Sequence, residues 1–142
     1  MMVWMTAMAM ASSVGAQPAP PRVEVTMAAA TPKALETLAA AGEWHGTAVY
    51  EGGEYTEVRA AYDALCAEPT ATLVTLLEHP AVGVRFAAVR ALFERKALDR
   101  VPASLDADRT AITVCPGGCM CQVTSLAELL PSWRAGREIP WW

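Results

Sequence analysis

Apolar residues recur every three or four positions along most of the chain, the spacing of amphipathic helices and not of alternating strands. Thr31 followed by Pro32 predicts a helix start, because the hydroxyl can cap the first turn and proline has no N–H to lose there. Leu35, Leu38 and Ala39 form its apolar face, and Gly42 ends it. Tyr55, Val58, Ala61, Tyr62, Leu65 and Cys66 predict a second helix from about Glu54 to Ala67. Pro69 opens a third, with Leu73, Val74, Leu76 and Leu77 on one face, before His79-Pro80 turns the chain. Val84, Ala87, Ala88, Ala91 and Leu92 then predict an amphipathic helix over Ala81 to Lys96, laid back against its predecessor.

Between the first two helices, EWHGTAVYEGGEY reads as a loop with one glycine turn, in preference to a tight hairpin. After the fourth helix the pattern breaks at KALDRVPASLDADRT, where Pro102 starts a short helical turn reaching Asp108. AITVC, PGG and CMCQVT predict two strands around a glycine turn, a hairpin over 111–124. Ser125 and Glu128 have capping-box spacing and open a last helix, whose apolar face is Leu126, Leu129, Leu130 and Trp133, with Pro131 inside it. An aromatic tail, IPWW, occupies 139–142. The expected fold is mainly α: a small helical bundle with one short C-terminal β-hairpin, in a single domain over 31–138.

Within that pattern, LVTLLEHPAVGVRFAAVRAL resembles a HEAT-type helical repeat, in which an apolar helix, a proline-containing turn, a VR pair, two alanines and a leucine follow one another. His79-Pro80, Val84-Arg85, Ala87-Ala88 and Leu92 carry the resemblance, over about residues 73–97. It implies a HEAT-like bundle that presents helix-pair surfaces to a protein partner. Ala81 and Val82 stand where HEAT turns often carry an aspartate, so the acid that would pair with a neighbouring arginine is missing there. One such unit is present, whereas a solenoid needs about three.

A length of 142 residues suits one domain, and 54% hydrophobic against 18% charged residues suits a packed one. Part of the apolar content is concentrated in MMVWMTAMAMASSVGA, which carries no charge and closes on Val14-Gly15-Ala16. Small residues in that arrangement predict a signal peptide over 1–16, cleaved before Gln17, and a Pro-rich linker over 17–30. A membrane span needs about 20 apolar residues, so no stable anchor is expected after cleavage. The first basic residue is Arg22, and a start codon upstream of Met1 would supply the missing basic n-region. The expected location is therefore exported, periplasmic or secreted. A net charge of −4 without a concentrated basic face excludes a nucleic-acid partner. Arg90, Arg95, Lys96 and Arg100, interleaved with Glu94 and Asp99, read as a solvated helix face.

Candidate chemistry centres on Cys115, Cys119 and Cys121, with Cys66 the fourth cysteine. Thiolates are zinc ligands, but structural zinc takes four, usually in paired C-x2-4-C knuckles, and here only His45, His79 or Cys66 could complete a set. In an exported protein disulfides are the stronger expectation. Cys119 and Cys121 would close a strained ring. Cys115 can bridge the turn to either, and the remaining one can reach Cys66, closing a loop of about 50 residues for about 4 kcal/mol. No C-x-x-C supports a redox centre, and Cys66 lies on an apolar helix face. His45 and His79 read as turn or surface residues, and the pairs Glu51/Glu54 and Asp106/Asp108 as caps and solvated acids. No phosphate loop, nucleophile elbow or H-E-x-x-H occurs. No catalytic residue, cofactor or metal is assigned. The expectation is an exported, non-catalytic helical scaffold or module that binds a protein, with a metal-binding or thiol-redox protein on Cys115, Cys119 and Cys121 as the alternative. Trp133, Trp141 and Trp142 are the candidate interface residues, against the simpler reading that the tail covers a helix groove.

Overall fold

The computed structural model describes residues 31–137, with Gly15 ahead of them. The cleavage site, the linker and the tail tryptophans Trp141 and Trp142 lie outside the described residues. In chain order the elements are α1 (Thr31–Ala41), β1 (Glu43–His45), α2 (Glu57–Cys66), α3 (Thr70–Leu76), α4 (Val82–Glu94), two 3-10 turns (Leu98–Arg100 and Ala103–Ala107), β2 (Ile112–Gly117), β3 (Met120–Thr124) and α5 (Leu126–Arg134).

The strands form one mixed sheet in the order β1-β2-β3. β2 and β3 are the expected antiparallel hairpin, but β1 adds to β2 in parallel, with Glu43 opposite Thr113, Trp44 opposite Val114 and His45 opposite Cys115. The fold is therefore mixed α/β, which corrects the expectation of a mainly α bundle with one hairpin. A strand of three residues is too short for alternation to reveal it, and its hydrogen-bond partner lies on the far side of three helices, α2 to α4, in sequence. The remainder of the segment read as a loop also pairs: Val49 bridges Glu54 across Gly52-Gly53, and bridges Gly118 at the hairpin turn.

Helix α4 is the centre of the core. Val84, Phe86, Ala87, Ala88, Val89, Ala91 and Leu92 are all buried, so the helix is covered on nearly every side and not only along one stripe. Small residues allow this. A Cβ on Gly83 would stand 2.2 Å from the Leu38 carbonyl oxygen, so α1 and α4 meet backbone to backbone only because that residue is glycine. Around α4, Trp44 packs edge-on against Tyr62 at 5.4 Å, and Trp133 stacks on Phe93 at 5.2 Å. Arg90, expected on a solvated face, instead lies over the Trp44, Phe93 and Trp133 rings and pairs with Glu94 at 3.1 Å.

Three arginines tie down the connections between helices by donating to backbone carbonyls that the helix ends leave free. Arg85 donates to the carbonyls of His79 (2.9 Å) and Pro80 (2.7 Å) and pairs with Asp108 at 2.9 Å. Arg95 donates to the carbonyls of Cys66 and Glu68 and to the Thr70 hydroxyl. Arg134 donates to the carbonyls of Leu98 and Val101 and pairs with Asp106 at 2.9 Å. The acid that pairs with Arg85 comes from farther along the chain, at Asp108.

Two predicted caps are built differently. The Thr31 hydroxyl donates to the buried Glu68 carboxylate at the α2–α3 connection. Ser125 sits at the N-cap of α5 without a side-chain cap bond, while its neighbour Thr124 donates to Glu128 at 2.9 Å. At α2 the helix starts later than expected, and Thr56 is its cap, accepting from the Arg59 N–H at 3.1 Å.

Candidate functional site

The hairpin carries the cysteines. Its register pairs Val114 with Gln122 and then Gly117 with Met120, so Cys115 and Pro116 on β2 oppose Cys121 alone on β3. Two residues facing one is a β-bulge, a position that tolerates a proline with no N–H to give the ladder. The bulge sets Cys115 opposite Cys121 with their Cα atoms 4.1 Å apart, and the two form a disulfide. Of the two bridges open across the turn, Cys115–Cys121 is the one present. The second bridge, back to Cys66, is not: Cys66 and Cys119 both carry free thiols.

Their surroundings explain the separation. Cys66 is half-buried on α2, and burial pushes its thiol above the usual value, partly opposed by a hydrogen bond with Tyr62. Cys119 is exposed at the hairpin turn. That turn is tied to the 46–54 segment: Tyr50 donates its N–H to the Gly118 carbonyl at 2.6 Å, and Gly118 donates to the Ala48 carbonyl at 3.0 Å. Gly46 donates to the Cys115 carbonyl at 2.8 Å, and a Cβ there would stand 1.9 Å from the Pro116 oxygen. The hairpin is therefore fastened to β1 and its following loop, not to α2. With Cys115 and Cys121 joined, the three thiolates are not presented together. Among the described residues no group of three or more His, Cys, Asp or Glu side chains is placed to hold a metal ion.

The outer edge of β3 is open among the described residues, since β3 pairs only with β2. Met120 is 59% and Val123 71% exposed, an unusual pair of apolar side chains to leave beside unpaired strand backbone. Met120 and Val123 point to opposite faces, so a strand added at this edge would meet one apolar side chain on each face.

Trp133 is not a surface anchor. It is 2% exposed, packed between Phe86 and Phe93, and lines a cavity of about 710 Å³ together with Lys96, Asp99 and Gly136. Asp106 and Asp108 are structural: Asp106 holds Arg134, and Asp108 holds Arg85 and accepts from the Thr110 N–H and hydroxyl, while Glu51 and Glu54 are exposed. Burial pushes the Asp108 carboxyl up, but the Thr110 bonds and the Arg85 guanidinium outweigh it and hold the carboxyl below its ordinary value. His79 accepts the Ala81 N–H at 3.1 Å and so closes the turn before α4.

His45 differs from its reading as a turn or surface residue. β1 carries it inward to 3% exposure, where Nδ1 meets the Thr56 hydroxyl and Nε2 the Glu43 carboxylate, both at 2.8 Å. The signal available in the sequence was the E-x-H spacing, which puts Glu43 and His45 on one face of a strand once the strand is recognised. Compared with known proteins, the chain matches no family model, no curated protein and no solved structure.

Proposed function

We propose that this chain is an exported protein-binding module that acts by surface recognition, without turnover. The observation that carries this reading is the open β3 edge, with Met120 and Val123 exposed on a strand stapled through Cys115–Cys121. A pre-formed edge adds a partner strand through main-chain hydrogen bonds, and its flanking side chains select what binds. The partner is an extended segment of another protein with apolar side chains on both faces. The sheet is tied to a tightly packed helical body, so little ordering entropy opposes docking at this edge. The sixteen uncharged residues at the start and the disulfide support an exported setting.

The test places a photo-cross-linking residue at Val123 in one protein and at Lys33 on α1 in another, in the exporting cell. Val123 is expected to capture one discrete protein and Lys33 none, and Val123→Asp to weaken binding of that purified partner tenfold or more. Unchanged binding by Val123→Asp removes the edge as the docking site. Amino-terminal sequencing of the mature chain is expected to begin at Gln17, and a chain retaining Met1 overturns export.

A further inference from the structure

Binding through β3 leaves one assembled group of side chains without a use. Thr56, His45 and Glu43 come from the α2 cap and from β1, and they form a continuous hydroxyl–imidazole–carboxylate relay with both links at 2.8 Å. The partners fix the tautomer. A carboxylate only accepts, so Nε2 carries the proton and donates it to Glu43; Nδ1 is then left as an acceptor for the Thr56 O–H. Thr56 already accepts the Arg59 N–H, so its hydroxyl proton is free to point at Nδ1.

Fastening β1 to α2 would need only one of these bonds. Three further features suit chemistry at the hydroxyl. The imidazole is shielded from water, while Thr56 is only partly buried, so the base is protected and the nucleophile reachable. Glu57 and Val58 are the first two residues of α2, whose N–H groups the helix ladder leaves free, so the end of the helix that Thr56 caps favours developing negative charge. The Tyr50 ring meets His45 edge-on at 5.8 Å from a backbone held at φ 63°, a left-handed conformation that costs energy in a residue with a Cβ. The segment also carries Glu43, Glu54 and Glu57, and Arg59 is paired with Asp63, a setting that opposes a phosphoryl donor and tolerates a neutral carbonyl.

We propose that Thr56 is an activated hydroxyl that accepts an acyl group once from an activated acyl ester. His45 acts as general base and Glu43 as a positioning residue. The Thr56 oxygen forms a bond to the acyl carbon and the carbon–oxygen bond to the leaving alcohol breaks. The Thr56 proton passes to His45 Nδ1 and from there to the departing oxygen. Nothing is oxidised or reduced.

The full chain treated with p-nitrophenyl acetate is expected to release nitrophenolate and to gain one acetyl group, located on Thr56 by peptide mass spectrometry. Thr56→Asn keeps a good helix cap and so the fold, which circular dichroism checks, and is expected to lose the adduct, while Thr56→Ser keeps it. His45→Gln is expected to slow labelling about 100-fold. Glu43→Gln is expected to slow it roughly tenfold at an unchanged half-saturating ester concentration, with Glu43→Asp recovering part of the rate. Acetyl found only on lysines, or Thr56 labelled as fast in His45→Gln as in the parent, overturns the proposal. Neither result bears on binding at Val123.

Discussion

Helix α4 and strand β3 both carry conspicuous apolar side chains, and the molecule treats them in opposite ways. α4 buries every apolar residue from Val84 to Leu92, in contact with α1, α2, α3 and β1. β3 leaves Met120 and Val123 in solvent and is held by its pairing with β2 and one covalent bridge. One element is fixed by packing, where every methylene is felt; the other is fixed by backbone bonds and a disulfide, which leaves its side chains free to vary. The contrast separates the part of the chain that makes the fold from the part that faces outward.

The largest way to break the comparison is at the closest backbone approach. Gly83→Ala puts a Cβ 2.2 Å from a backbone oxygen that neither helix can move cheaply. It is expected to lower global stability by about 3 kcal/mol in urea unfolding, with every amide in α1 and α4 losing exchange protection together. A smaller and local effect is expected from replacing Cys115 and Cys121 by alanine. The bridge spans six residues, a short loop, so its chain-entropy contribution is about 2 kcal/mol. Hydrogen exchange should then show β2 and β3 opening while α4 stays protected; simultaneous loss in α4 would show that sheet and helices unfold as one unit.

The smallest effect concerns the tie between α4 and the connection that leads into the hairpin, Arg85 to Asp108. Because the Asp108 carboxyl is held below its ordinary value in the folded chain, its contribution is present above the unfolded value and fades as pH falls through the folded one. Asp108→Asn is expected to cost about 1 kcal/mol near neutral pH, and the difference from the parent to close on acidification through the carboxylate range. A pH-independent difference would mean that the side-chain shape, and not its charge, holds Arg85.

The helices were legible because each buries a face that its own residues define. Tyr62 and Leu65 on α2 and Leu73 and Leu76 on α3 are buried where three-and-four spacing puts them. Their caps were less legible, since Thr31 reaches Glu68 through tertiary proximity and Thr124, not Ser125, bonds Glu128 one turn on. β1 was hidden for a different reason. Three residues carry no measurable period, and what makes Glu43–His45 a strand is the edge of β2, which no local window contains. His45 followed β1 into error: a histidine beside glycine in a presumed loop looks exposed, and only the parallel pairing turns it inward. The hairpin staple was readable from the cysteine spacing, but the choice of Cys121 over Cys119 depends on the bulge between Val114 and Gly117.

The parallel pairing of β1 with β2 also dictates an order of events. Its strands are adjacent in space but separated in sequence by α2, α3 and α4, so closing that pair carries the entropy of a long loop until the helices have condensed. The α helices and the β2–β3 hairpin need only near neighbours. Refolding should therefore gain helical signal first and bury Trp44 last, making this short strand the latch that completes the molecule.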